Sequence, residues 1–349
     1  SSSTIKEIIK EAKKGKMFIL VDNKDRENEG DLVIPASKAN AKKINFMAKH
    51  GRGLICLALT SQKVKKLNLP LMSSINKSRT QTAFTVSIES RKGISTGISA
   101  HDRAKTIKVA IRPSSSKRNI VSPGHVFPLV AKAGGVLERA GHTEASVDIS
   151  KLAKLNPSAV ICEVMNEDGT MARYKDLLPF AKKHKLKIAR IEDLISHRLK
   201  TERLIKVISH KKINIKRFGN FELKTFKSKL DGAEHYAITK GKFSSNKASR
   251  VRVISTNILN SFFDFNKNIF KNSLQHLNKS NNFALILVKG TSPKLSSSEN
   301  NKILRYYGVG AQIIKELKIK KMILVSRSKK RIIALKGYGI KITKQEIIK

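Results

Sequence analysis

Apolar and polar positions along the first 200 residues follow two alternating periods. Met17-Phe18-Ile19-Leu20-Val21 contains no polar position and predicts a strand buried on both faces; Leu32-Val33-Ile34 predicts a second. Residues 37–50 read as a helix with Ser37 as its N-cap. Strands are predicted over 53–60, 82–90, 126–131 and 159–165. The spacing Ser99-x-x-Asp102 has the form of a capping box opening a helix to about Ile111. Gly134-Gly135 marks a turn, and further helices are expected near 143–155 and 175–184. Strands alternating with helices predict an α+β architecture, an α–β domain whose mixed sheet is covered by helices. Around 201–218 the pattern loosens and becomes Lys-rich, which predicts a boundary. A chain of 349 residues with 40% apolar side chains is long enough for two cores.

Composition narrows the class. No apolar run approaches the roughly 18 residues of a membrane span; the longest, such as Phe283 to Val288, are strand-length. Two cysteines exclude a disulfide scaffold, and they exclude a thiolate zinc site built from this chain alone. Ser1 to Lys16 is polar and lacks the apolar segment of a secretory signal. A soluble, cytoplasmic protein without membrane partners is therefore expected.

The charge balance is strongly basic, 71 Lys and Arg against 26 Asp and Glu, a formal +45. The excess is spread along the chain. Residues 1–200 carry 38 basic and 18 acidic side chains, and the remainder carry 33 and 8. Mostly Lys, with few aromatics between them, these charges read as solvated faces and predict no specific nucleic-acid partner. The acids are more telling. Asp22, Asp25, Glu27, Glu29 and Asp31 fall within ten residues, and the next 57, Leu32 to Ile88, hold none. Carboxylates in a loop after a strand suit a hard cation or a polyhydroxyl ligand; the alternative is a solvated acidic loop.

Four segments gather polar residues that a covered sheet does not need. They are Arg26-Glu27-Asn28-Glu29-Gly30-Asp31; Ser95 to Arg103; Ser122 to Pro128 continuing to Arg139-Ala140-Gly141-His142-Thr143-Glu144; and Ile161 to Gly169. Arg139-x-Gly-His-Thr before a helix suits an anion, with a guanidinium beside helix N-terminal N–H groups. Glu163, between apolar strand residues, reads either as a satisfied half-buried carboxylate or as an acid/base group, and His125 after Pro-Gly either closes a turn or does chemistry. Together the segments supply a phosphate clamp, a metal-competent Glu/His set and acid/base groups.

The motifs Arg-Glu-Asn-Glu-Gly-Asp, Thr-Gly-x-Ser-Ala-x-Asp-Arg, Pro-Gly-His-Val-Phe-Pro-Leu, Gly-Gly-Val-Leu-x-Arg-x-Gly-His-Thr-Glu-Ala and Cys-Glu-x-Met-Asn-x-Asp-Gly-Thr-Met-Ala-Arg occur in that order. Over about residues 1–200 the chain closely resembles 3,4-dihydroxy-2-butanone 4-phosphate synthase of riboflavin biosynthesis. The resemblance implies a synthase domain over 1–203 and a lyase converting D-ribulose 5-phosphate to 3,4-dihydroxy-2-butanone 4-phosphate and formate. It implies a homodimer, and a divalent cation, Mg²⁺ or Mn²⁺, on Glu27 and His142. It implies substrate contacts from Arg26, Glu27, Asp31, Arg139, Ala140, Gly141, His142, Thr143 and Glu163, with His125 and Glu163 as catalytic residues. The family's Asp-Asp pair ahead of the first motif is Asp22-Asn23 here.

From about residue 205 the chain resembles GTP cyclohydrolase II, through Glu234-His235-Tyr236-Ala237-Ile238, Val251-Arg252-Val253-Ile254-Ser255 and Tyr306 to Ile314. This implies a second α/β domain over 204–349. The family's three zinc cysteines follow the Val-Arg-Val segment, whereas Thr256 to Asn266 contains none and no Cys occurs after Cys162. Its arginine-rich loop is replaced by a Ser-rich stretch near Lys289 to Ser298, and its Thr-Asn-Asn-Pro motif is Ser326-Arg327-Ser328-Lys329. Without thiolates the zinc-activated water is lost, so no zinc is expected and the domain reads as structural or regulatory. His210, His235 and His276 read as structural or surface residues. Two alternatives stay open: a bifunctional enzyme that still opens GTP, or a basic nucleic-acid-binding scaffold on an inactive enzyme fold.

Overall fold

The computed structural model describes residues 2–23, 27–73, 75, 82–229, 232–244, 246–256, 267–289, 299–327 and 340–348. The chain forms two compact units, residues 1–195 and essentially 196–349.

The first unit is built on a seven-stranded mixed sheet. Its strands are β1 (Phe18–Val21), β2 (Gly30–Pro35), β3 (Cys56–Thr60), β4 (Ile88–Ser90), β5 (Ile120–Ala131), β6 (Ala159–Glu163) and β7 (Lys187–Arg190). They lie in the order β4-β5-β3-β6-β2-β1-β7, with β1/β7 and β3/β5 parallel and the remaining pairs antiparallel. The unbroken apolar run of β1 is buried at every position because helices cover both faces. On one face α2 (Ala41–Phe46), α3 (Ser61–Leu67), α4 (Ala100–Ile111) and α6 (Tyr174–Lys183) pack Ile44, Val64, Ile107 and Leu177 against Ile19, Leu32, Ile34 and Leu57. On the other lie α1 (Ile5–Lys13) and α5 (His142–Leu152).

α5 is buried from His142 through Ser150 although six of those nine residues are polar. Burial is tolerable because the polar groups are paired. Ser150 Oγ donates to the Ser146 and Ser158 carbonyls at 3.0 and 2.9 Å, Ser146 Oγ donates to Thr143 O at 2.9 Å, and Asp148 Oδ2 accepts the Val136 N–H at 2.8 Å.

Several expected boundaries shift. The 37–50 helix begins instead at Ala41, with Asn40 Oδ1 accepting the Lys43 N–H at 3.1 Å; Ser37 falls within a preceding 3-10 turn, Ala36–Lys38. A carboxamide caps as well as a hydroxyl, so Asn40 competes successfully with Ser37. The helix then widens into a π-turn, Met47–Gly51, and closes at Arg52 in the left-handed region, φ 69°. The 82–90 strand contracts to β4, with isolated bridges at Phe84 and Thr85. The 126–131 strand extends back to Ile120 through Pro123 and Gly124, which broke its pattern. α1 was not predicted; Ile5, Ile8 and Ala12 form its buried stripe, and Thr4 and Glu7 close a capping box.

The second unit has its own seven-stranded sheet, of β8 (Ile205–Ile215), β9 (Gly219–Ser228), β10 (Glu234–Lys240), β11 (Ser249–Thr256), β12 (Phe283–Lys289), β13 (Lys321–Ser326) and β14 (Lys341–Ile347). The order is β14-β13-β11-β12-β10-β9-β8. The Lys-rich 201–218 segment is therefore mostly strand, since Ile205, Val207, Ile213 and Ile215 alternate with its lysines. α7 (Ile191–Thr201) precedes it; α8 (Lys267–Leu277) and α9 (Glu299–Glu316) follow. Leu274 and Leu277 of α8 pack with Phe221, Phe283, Leu285 and Val325. Gln312 ties the unit together, its Oε1 accepting the Leu204 N–H at 2.9 Å and its Nε2 donating to the Leu199 and Glu202 carbonyls, both at 2.8 Å. Among the described residues no helix is long and apolar enough to cross a membrane.

Candidate active site

The acidic loop leaves β1 at Val21 and re-enters the sheet as β2 at Gly30. Asp22 organises it: the Glu27 and Glu29 N–H groups donate to its two carboxylate oxygens at 3.2 and 2.9 Å. Arg173, just ahead of α6, clamps the same loop from outside, with Nη1 donating to the Glu27 carbonyl and lying 3.5 Å from Glu29 Oε1. Among the described residues, the backbone fixes Asp22 and one guanidinium fixes the loop at Glu27 and Glu29.

His142, the first residue of α5, faces this loop. Its Nδ1 lies 3.7 Å from Glu27 Oε2 and its Nε2 3.9 Å from Asp31 Oδ1. Asp22, Glu27 and His142 each offer one ligand atom, all within 4.8 Å of one another. Two carboxylates and an imidazole suit a hard divalent cation that keeps some water; the imidazole also favours Mn²⁺.

Glu163 ends β6 directly opposite Asp31 on β2. Burial raises the Asp31 carboxyl well above its usual range, and Glu163, Glu27, Asp22 and Glu29 add to the effect. Burial raises Glu163 as well, opposed by the N–H bonds its carboxylate accepts and helped by Glu27. One of those bonds comes from Leu54 N at 2.8 Å. The approach is close because Gly53 has no side chain: a Cβ there would stand 2.5 Å from Glu163 Oε2, 2.6 Å from its carbonyl oxygen and 2.7 Å from its N. Gly53→Ala must displace Glu163 backbone. It is expected to cost about 1–3 kcal/mol of stability and to lower activity far more than a distant glycine replacement, measured by thermal unfolding and turnover together.

His125 stands further along the sheet. The β3/β5 pairing sets Cys56 beside Phe127, and the β3/β6 pairing sets Cys56 beside Ile161. Both registers, continued two residues, bring Leu54 to about the level of His125 and Glu163. The two side chains then stand two strands apart, roughly 10 Å. His125 Nδ1 meets Glu89 Oε1 on β4.

The expected anion clamp is partly neutralised. Arg139 Nη1 lies 2.6 Å from Glu144 Oε2, and Nη2 donates to Thr82 Oγ1 at 3.2 Å. Gly141 leaves room for that guanidinium, which a Cβ would strike. Gly141 is also the N-cap of α5 and supplies no side-chain cap, so the helix begins with backbone N–H groups beside Ala140 and Thr143, both buried. Thus Glu27, Asp31, His142 and Glu163 come together around one site. Arg139 to Thr143 form the adjoining turn, His125 lies across the sheet, and Arg26 lies outside the described residues. Asp22, Arg173 and the Leu54 N–H were not singled out from sequence. Asp22 was visible as a member of the acid cluster and Arg173 as the last residue of the fifth motif, but neither motif shows that the two meet at one loop.

In the second unit His235 is buried, its Nδ1 accepting the Lys289 N–H at 3.1 Å; His210 lies 3.2 Å from Glu222. The segments that depart from the cyclohydrolase pattern, 257–266, 290–298 and 328–329, lie outside the described residues.

Family models match both units: 3,4-dihydroxy-2-butanone 4-phosphate synthase over residues 6–197 and GTP cyclohydrolase II over 206–346. A 3,4-dihydroxy-2-butanone 4-phosphate synthase of Photobacterium phosphoreum is 42% identical over 97% of this chain and 98% of its own. The crystal structure of RibBX, a two-domain 3,4-dihydroxy-2-butanone 4-phosphate synthase from A. baumannii, superposes with a TM-score of 0.85 at 38% identity, covering 99% of this chain and 100% of that one. A 3,4-dihydroxy-2-butanone 4-phosphate synthase solved in complex with two magnesium ions covers 57% of this chain and 98% of its own, at 39% identity and a TM-score of 0.55. With five motifs in order along the first unit and both units matched in sequence, the chain belongs to the 3,4-dihydroxy-2-butanone 4-phosphate synthase family, in the form that carries a GTP cyclohydrolase II-type second domain.

Proposed function

We propose that residues 1–203 form a lyase that converts D-ribulose 5-phosphate to 3,4-dihydroxy-2-butanone 4-phosphate and formate for riboflavin biosynthesis. The observation that carries this reading is the convergence of Asp22, Glu27 and His142 within 4.8 Å of one another beside the buried Asp31 and the half-buried Glu163 opposite it. Glu27 and His142 would hold a divalent cation, Mg²⁺ or Mn²⁺, and Asp22 is positioned to join them. When bound, the cation supplies positive charge against the negative charge that develops on the sugar oxygens.

The chain's own residues carry the remaining work. Enolisation, dehydration, rearrangement and cleavage each move a proton, so a carboxyl with a raised pKa is suited to take one up and return it. Glu163 has that environment, and the Leu54 N–H fixes its Oε2. His125 is the second proton carrier, its ring oriented by Glu89. Arg26, Glu27 and Asp31 bind the sugar hydroxyls. Arg139, Ala140, Gly141, His142 and Thr143 bind its phosphate at the start of α5, where N–H groups and the helix dipole favour an anion.

Leu54, between Glu163 and His125, is 41% exposed; Leu71, Met72 and Ile98 of the same unit are each more than half exposed. These apolar surfaces support a homodimer, which sedimentation at micromolar concentration tests. We place the enzyme in the cytoplasm. Residues 204–349 act as a structural or regulatory domain, since they contain none of the thiolates that the cyclohydrolase chemistry needs. The test offers purified protein D-ribulose 5-phosphate or GTP, each with Mg²⁺ and Zn²⁺, and follows products by NMR. The expected outcome is butanone phosphate from the first and neither pyrophosphate nor a pyrimidine from the second. Ring opening of GTP would return the second domain to catalysis.

A further inference from the structure

The second unit contains a cavity of about 490 Å³ lined by Arg250, His276, Lys279, Lys344, Glu346 and Ile347, among others. Arg250 stands near the start of β11, Lys279 follows the end of α8, and Lys344 and Glu346 share one face of β14. Arg250 and Lys344 both pair with Ile323 of β13 across the sheet, so their side chains project on the same side. Three permanent cations thus ring a hollow that contains a single carboxylate.

That carboxylate is used as a fastener. Arg250 Nε and Nη2 donate to Glu346 Oε2 and Oε1, both at 3.0 Å, in a two-pronged bond, and His276 Nε2 donates to Oε2 at 3.2 Å. Arg250, with its His276 neighbour, holds the Glu346 carboxyl below its usual range, so it stays ionised and the fork persists. The fork uses two of the five guanidinium N–H donors, and three remain for a ligand. Lys279 and Lys344 are exposed at the rim. The volume lies within the roughly 300–1,000 Å³ typical of small-molecule sites. β11 runs on from Arg250 to Thr256 before the segment that departs from the cyclohydrolase pattern, so the hollow opens at the other end of the strand.

We propose that this cavity is a second anion site, which binds a small molecule through a phosphate or pyrophosphate group held by Arg250, Lys279 and Lys344. Arg250 is pre-oriented by Glu346, and the lysines supply point charges to the outer oxygens. The site owes nothing to the lyase reading of the first unit.

The test is calorimetric titration of the protein with inorganic pyrophosphate, with Arg139→Ala separating this site from the phosphate clamp proposed in the first unit. Binding is expected in the wild type and should weaken at least about ten-fold in Lys279→Glu/Lys344→Glu, as expected for losing two charged contacts. Two controls separate a site from a diffuse field. Lys206→Glu/Lys227→Glu reverses the same amount of charge at an exposed cross-strand pair of β8 and β9 and should stay within about two-fold of wild type. Arg139→Ala, in the first unit, should retain this binding as well. No pyrophosphate binding in the wild type, unchanged binding in the Lys279/Lys344 variant, or an equal loss in the Lys206/Lys227 variant would each overturn the proposal.

Discussion

Formate release from D-ribulose 5-phosphate is expected to fall about 10³-fold or more in Glu163→Gln. The substitution removes only the ability to exchange a proton. Gln retains an oxygen for the Leu54 N–H, now at 2.8 Å, and nearly the same volume opposite Asp31. Stability should not suffer, and its pH dependence gives a second readout. An acid whose folded pKa is raised favours folding while protonated and opposes it once ionised. The cation-free wild type should therefore lose stability relative to Glu163→Gln as pH rises above the ordinary carboxylate value of 4.5. His125→Ala should match the loss of turnover, because a ring held by Glu89 at the far end of the same row acts on the same substrate. Turnover near wild type in either variant would remove that residue from the chemistry.

Loss of divalent cation should be equally severe. Chelation is expected to abolish turnover, with recovery on adding Mg²⁺ or Mn²⁺. Glu27→Gln and His142→Ala should each weaken Mn²⁺ binding by about 10- to 100-fold, the range typical when a ligand or its supporting partner is lost. Titration of the Mn²⁺ resonance reads this without reference to catalysis. Asp22→Asn distinguishes two roles. As a ligand it should weaken binding as Glu27→Gln does; as a loop organiser alone it should preserve most binding, because an amide oxygen still accepts the Glu27 or Glu29 N–H. Wild-type affinity in all three variants would place the cation elsewhere.

What could be read from sequence follows from how local each signal is. β1 and β2 were legible because an unbroken run of apolar residues between polar loops, five at Met17–Val21 and three at Leu32–Ile34, has few other solutions once helices cover the sheet. α4 announced itself through Ser99, whose Oγ accepts the Asp102 N–H at 3.0 Å, while Asp102 in turn receives the Ser95 and Gly97 N–H groups. β8 falls within the segment expected to be a Lys-rich boundary, because its exposed positions mix Lys206, Lys211 and Lys212 with Ile208, His210 and Asn214 and so blur the period of its inward positions. The site was legible as an acid cluster followed by distant Glu and His motifs. Its spatial logic was not, since Asp31 meets Glu163 by strand register and Arg173 reaches the loop over 146 positions of sequence. The Arg250–Glu346 fork was invisible for the same reason: 96 positions separate its members.

The central claim is that the first unit cuts a five-carbon sugar phosphate into four carbons and one. Uniformly ¹³C-labelled D-ribulose 5-phosphate, incubated with the full-length protein and Mg²⁺ and followed by ¹³C NMR, tests it directly. The account predicts labelled formate and a labelled four-carbon phosphate in equal amounts, both absent with Glu163→Gln. Unchanged ribulose 5-phosphate, or an isomerised five-carbon product without formate, would contradict it.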